Sequence, residues 1–247
     1  MPAAVSAERI KLSTLRSPWW AAMAAAALSL GLAATRAGVA SDYARMTASQ
    51  AALGVAVFGV PVLTVVAAMT LTSEYRTRMV ATTFMATPCR SAVLCAKALV
   101  AAVFSGAAAI VMVLGAVVVA RVLTGPEAGA ALTTGLPRTA GAVALYAALA
   151  AVLGVGVAAL VRHTAGAVTI LLLWPLLVEP LVGNLPGRGA QIGPYLPFAN
   201  VFRFLDVEWL FPTYAMRWGA LGSVGYFTAV VLAVFVAALI VVNRRDA

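Results

Sequence analysis

The sequence predicts an all-α protein that crosses a membrane six times. Three observations carry this. The chain of 247 residues is 63% hydrophobic and 10% charged, with a mean hydropathy of +1.00, whereas a soluble domain is about half apolar and a quarter charged. Its apolar residues fall in six long continuous runs, each close to the roughly 20 residues a bilayer requires. The runs do not alternate, and only helices or closed barrels satisfy their backbone in lipid, so helices are predicted.

The elements follow in order. SAERIKLSTLRSPWW reads as a short interfacial helix capped by Ser6, with Glu8 in its first turn. Arg9, Lys11 and Arg16 would face lipid phosphates, and Ile10, Leu12 and Leu15 would dip inward. Span one covers about 18–35 and opens on the interfacial pair Trp19 and Trp20. Span two covers about 51–72, with Pro61 as a kink. Span three, about 92–120, is long enough to tilt. Spans four, five and six cover about 140–161, 165–182 and 219–242, and Pro175 and Pro180 interrupt the fifth. Between spans five and six, prolines 186, 194, 197 and 212 forbid a single helix. The aromatic FANVFRFLDVEWLF within that stretch predicts an interfacial helix or a re-entrant element on the outer side. One domain accounts for residues 1–247.

With the N-terminus inside, the inner segments carry ten Lys and Arg residues and the outer segments seven. This bias predicts an inner or plasma membrane protein with both termini cytoplasmic. The net charge of +9 then reports orientation, not nucleic-acid binding. The first apolar run is retained rather than cleaved, because no small-residue cleavage site follows it. Cys89 and Cys95 do not form a CxxC pair, and the lone His163 cannot build a multi-histidine metal site. His163 reads as a loop residue beside Arg162. Neither lysine, Lys11 or Lys97, sits in a phosphate-binding loop of the form GxxxxGK[ST], so the chain by itself is not a P-loop ATPase. HExxH and GxSxG are also absent. The two halves share no charge pattern, which argues against an inverted-repeat transporter.

The polar chemistry concentrates between spans two and three, in LTSEYRTRMVATTFMATPCRSAVLCAK. Thr72 or Ser73 would cap a helix there, with Glu74 at its positive end and Pro88 turning it. Arg76, Arg78 and Arg90 would face acidic or carbonyl groups of a partner, or serve only to retain the loop inside. A second candidate is Glu179, between Trp174-Pro175 and Pro180 near the outer end of span five. A carboxylate there requires solvent, a partner or a proton. Its structural role ranks above contact with a cationic substrate.

These stretches, with ERIKLSTLRSPWW and LLLWPLLVEPLVGNLPGRGAQIGPYLPF, give the chain its resemblance to the six-span permease subunits of ABC-2 type ABC transporters. The middle stretch is the most specific. It has an acidic-aromatic-basic start, a threonine-rich helix, a proline-basic turn and an alanine-lysine lead into span three. It departs from the pattern at Thr77-Arg78-Met79, where a glycine-threonine step is common, and at Cys89, where a basic residue is common.

The resemblance implies an exporter of a small amphipathic, drug-like or lipid-like substrate. Its energy would come from a separate cytoplasmic ABC ATPase dimer holding ATP and Mg, and a second permease copy or relative would complete the pathway. The permease itself would bind no cofactor or metal and catalyse nothing. The loop after span two would be the coupling helix, with Glu74, Tyr75, Arg76, Arg78, Pro88, Arg90 and Lys97 facing the ATPase. Trp174, Pro175, Glu179 and Pro180 would form an outer gate or helix break. The competing readings are a membrane-embedded enzyme using Glu179, and a non-transporting anchor or immunity-type component.

Overall fold

A computed structural model describes residues 2–14, 16–40, 46–77, 79, 89–125, 129–207 and 215–244. Among these, every regular element is a helix. Helix α1 (Pro2–Thr14) leads into α2 (Arg16–Ala40). Helices α3 (Ala48–Gly54) and α4 (Val60–Arg76) are joined by a π turn at Val55–Gly59. Then come α5 (Arg90–Thr124), α6 (Gly129–Thr133) and α7 (Leu136–Val161). Helices α8 (Thr164–Leu173) and α9 (Glu179–Gly183) flank a second π turn, Trp174–Val178. The short α10 (Gly189–Ile192), a 3-10 turn (Gly193–Tyr195) and α11 (Pro197–Leu205) precede α12 (Ala220–Arg244).

Six helical stretches are long and apolar enough to cross a bilayer: 16–39, 48–76, 90–124, 131–161, 164–183 and 220–244. This is the architecture of a multi-pass membrane protein; five predicted spans lie within one of them, and the sixth, 219–242, starts one residue ahead of its helix. Each extends past the predicted bounds at one end or both, because polar end turns can continue a helix past its apolar window.

The second and fourth stretches are central, 72% and 67% buried over their apolar windows, against 22% for the first, fifth and sixth. Small residues allow this closeness. A methyl on Gly154 of α7 would sit 2.5 Å from the Thr64 carbonyl oxygen of α4, and one on Gly54 of α3 would sit 2.6 Å from the Ser29 carbonyl oxygen of α2. Helix α7 also packs against α5 and α12.

Both π turns have the same local cause. Val60 N–H donates to the Val55 carbonyl, and Glu179 N–H to the Trp174 carbonyl, five residues back. Each is followed by a proline, Pro61 or Pro180. A proline ring clashes with the carbonyl four residues earlier and donates no hydrogen bond. Widening the preceding turn relieves the clash. The kink predicted at Pro61 is thus a widened turn just before it.

Two local expectations are corrected. Helix α1 starts at Pro2, so Ser6 lies inside it and does not cap it. Proline is favoured in the first turn, because its missing N–H has no intrahelical partner there anyway. Thr72, Ser73 and Glu74 belong to the last turns of α4, which runs unbroken to Arg76, and do not start a separate helix. The expected coupling helix falls largely on 78 and 80–88, outside the described residues.

Candidate functional site

Polar side chains gather at the two ends of the bundle. At one end stand the starts of α2, α5 and α8 and the ends of α4, α7 and α12, because successive spans alternate in direction. Side-chain contacts tie this end together. Arg162, just past α7, stacks its guanidinium 5.5 Å over the Tyr75 ring of α4. Ser91 of α5 pairs with Asn243 of α12, and the Arg90 guanidinium donates to the Val242 carbonyl at 3.3 Å.

The centre of this end is a closed ring of four charges. Lys97 Nζ on α5 donates to Glu8 Oε2 of α1 at 2.8 Å and to Glu74 Oε1 of α4 at 2.6 Å. Lys11 Nζ on α1 donates to Glu8 Oε1 at 3.1 Å and to Glu74 Oε1 at 2.9 Å. Each cation therefore touches both carboxylates, and the ring is neutral. The Lys97 side chain is fully buried, while that of Lys11 is 41% exposed. Burial alone would lower the Lys11 ammonium, but hydrogen bonds and charge from Glu74 and Glu8 outweigh it and hold it above the ordinary lysine value of 10.5. A buried charge is costly unless paired and hydrogen-bonded, and the ring meets that condition for Lys97.

The sequence-predicted residues of this region separate. Glu74 and Lys97 are buried and paired within the chain, Tyr75 is half-buried under Arg162, and Arg76 is exposed. Arg90 is half-buried against α12. Arg78 and Pro88 lie outside the described residues. Glu8 and Lys11 were missed as members of the site. Lys11 turns inward, contrary to the lipid-facing role expected of it. One signal was available: Lys97 sits in an apolar helix and needs carboxylate partners, and Glu8 and Lys11 share a helix face at i, i+3.

At the opposite end, Glu179 is fully buried. Its Oε1 accepts from Trp174 Nε1 at 2.9 Å. Its Oε2 accepts from the backbone N–H groups of Phe198 at 2.9 Å and Ala199 at 3.3 Å. These are the second and third residues of α11, whose own N-cap, Leu196, has no side-chain oxygen. Glu179 therefore caps α11 from across the fold, with its carboxyl oxygen at the helix's positive end. The backbone N–H groups it accepts from belong to α11 and not to the broken span that carries it.

Pro175 is buried within the π turn and Pro180 half-buried after it, so both set the path of the helix that carries Glu179. The Trp174 ring stays half-exposed while its N–H points to the carboxylate. Asn200, missed in the sequence, fixes the rest of this end. Its Nδ2 lies 2.9 Å from the carbonyls of Pro194 and Leu196, and its Oδ1 accepts from Trp218 Nε1 at 2.7 Å. A lone amide within the aromatic FANVFRF run was its signal. Beneath α11, Tyr146 of α7 meets Phe202 and Phe227 at ring separations of 6.2 and 6.0 Å, and Phe198 meets Phe227 at 5.4 Å.

Comparison with known proteins finds no matching family model, no matching curated protein and no matching solved structure.

Proposed function

We propose that the chain is the transmembrane permease subunit of an ABC-2 type transporter, exporting a small amphipathic, drug-like or lipid-like molecule with energy from a separate ABC ATPase. The observation that carries this reading is where the described ends of the charged segment, 74–76 and 90–97, lie. The end of α4 and the start of α5 meet at the bundle end that also holds α1 and the end of α12. In an ATP-driven transporter, a chain without a phosphate-binding loop would receive its energy from a partner, and such a segment is the contact this reading uses. In this reading that end is cytoplasmic, and the exposed Arg76 with the residues that follow it faces the ATPase. Glu74 and Lys97 hold the base of the segment from inside. At the outer end, α11 with its capped N-terminus is a re-entrant element. Glu179 anchors it: the residue is fully buried and its carboxyl group is engaged by Trp174 and the α11 backbone, which favours a structural role over substrate contact. The same burial disfavours an enzyme built on Glu179. A second permease copy, the lipid bilayer and the ATPase with its ATP and Mg complete the assembly.

The test is co-expression with a P-loop ATPase encoded beside the gene, followed by purification and vesicle reconstitution. The ATPase is expected to co-purify, and Arg76→Glu is expected to lower ATP hydrolysis stimulated by the permease, roughly tenfold for a loss of about 1.4 kcal/mol of coupling. Failure of the ATPase to bind, together with no response to Arg76→Glu, would sink the proposal.

A further inference from the structure

The four-charge ring has a property beyond its stability: it divides into two neutral halves along the boundary between α1 and the rest of the bundle. Glu8 and Lys11 both belong to α1 and pair with each other at 3.1 Å. Glu74 and Lys97 both belong to the bundle and pair at 2.6 Å. Lifting α1 away breaks the two cross-links, Lys97–Glu8 and Lys11–Glu74, yet strands no charge on either side. Had the ring joined a lone carboxylate on α1 to a lone lysine in the bundle, release would leave a buried unpaired charge.

The remaining contacts of α1 are weak. Among its described side chains only Glu8 is buried; Ala4, Val5, Lys11 and Leu12 are half-buried and the rest exposed. Its one buried group is thus a charge, so little apolar burial opposes release. The weak side of the ring is also open to water, at Lys11.

We propose that α1 is a reversible clasp, closed on α4 and α5 by this ring and able to swing away as a neutral unit while the Glu74–Lys97 pair keeps the bundle intact. Opening uncovers Glu74, two residues before the end of α4, and so exposes the base of the charged segment. The inference does not depend on what the protein transports or on which partner drives it.

The test uses the full chain in lipid nanodiscs, with Cys89→Ser and Cys95→Ser, and spin labels at Arg9→Cys and Arg76→Cys, both exposed positions. The distance distribution is measured as salt rises from about 0.1 to 1 M, over which the screening length falls from about 10 to 3 Å. A second, longer distance is expected to grow with salt. In the Glu8→Gln/Lys11→Gln variant it should dominate, its ratio to the short distance rising roughly tenfold or more, with the thermal unfolding midpoint of the bundle unchanged. Lys97→Gln, which removes the buried cation and leaves Glu8 and Glu74 to share Lys11 alone, should lower that midpoint. A single short distance in the double variant and at high salt would overturn the clasp. So would a double variant that loses the folded bundle along with α1, since α1 would then be an integral part of the core.

Discussion

Glu179 shows how much a single residue's meaning depends on what surrounds it. By sequence it is a carboxylate between two prolines in an apolar run, and cost alone says that it has a partner. Its partners are Trp174, five residues back, and two N–H groups nineteen and twenty residues ahead. Replacement with leucine is expected to leave the two buried N–H groups of α11 without an acceptor, to remove that of Trp174, and to lower stability by about 2–3 kcal/mol. Glutamine should cost less, because its amide oxygen can still cap α11. Its NH2 would then face the Trp174 N–H, donor against donor. Adding Trp174→Phe to Glu179→Gln should recover part of that loss, so the two changes should be non-additive in a double-mutant cycle read by thermal unfolding. Additive effects would place the Trp174 hydrogen bond outside the cap. Glu74 and Lys97 carry the same lesson. Both sit in the segment that the sequence assigned to a partner, and both are spent inside the chain.

At the scale of elements, the existence of each helix was legible and its end chemistry was not. Continuous apolar runs fix the spans, and prolines 61 and 180 mark where the ladder must widen. The last turns of α4 read like a helix start, because threonine and serine before a glutamate are also the signature of a cap. The apolar span ran through that signature, since helix propagation adds a bond per residue while a new helix must be nucleated again. Packing between elements rests on glycine at the α4–α7 crossing. Gly154→Ala is expected to destabilise the bundle by about 1–3 kcal/mol, because its methyl would press on the Thr64 backbone carbonyl. Gly141→Ala, on the same helix with nothing within 4 Å, should be neutral or stabilising, as alanine favours a helix by about 0.5–1 kcal/mol. Thermal unfolding of the two variants side by side checks the assignment, and equal effects would contradict it.

For the whole molecule, an even number of spans puts the start of the first and the end of the last at one end of the bundle. Contacts of α1 and α12 with neighbouring turns of α5 agree with this. The Lys and Arg bias then predicts that this end is cytoplasmic. Reporter fusions at residues 2 and 244 should therefore give the same cytoplasmic signal, and a fusion in the 184–188 stretch the opposite one. A fusion at residue 2 that reports the outer side would reverse the orientation on which the ATPase reading depends. The sequence by itself determined the membrane class, the number of spans, the positions of the helix breaks and the lack of a phosphate-binding loop. Each of these follows from local composition and short-range backbone chemistry. Only the tertiary structure decided that Glu8, Lys11, Glu74 and Lys97 close into one ring, and that Glu179 caps α11. Such pairings join residues up to 89 positions apart. They are set by which helix faces meet when small residues let the spans approach, and no single stretch of sequence records that.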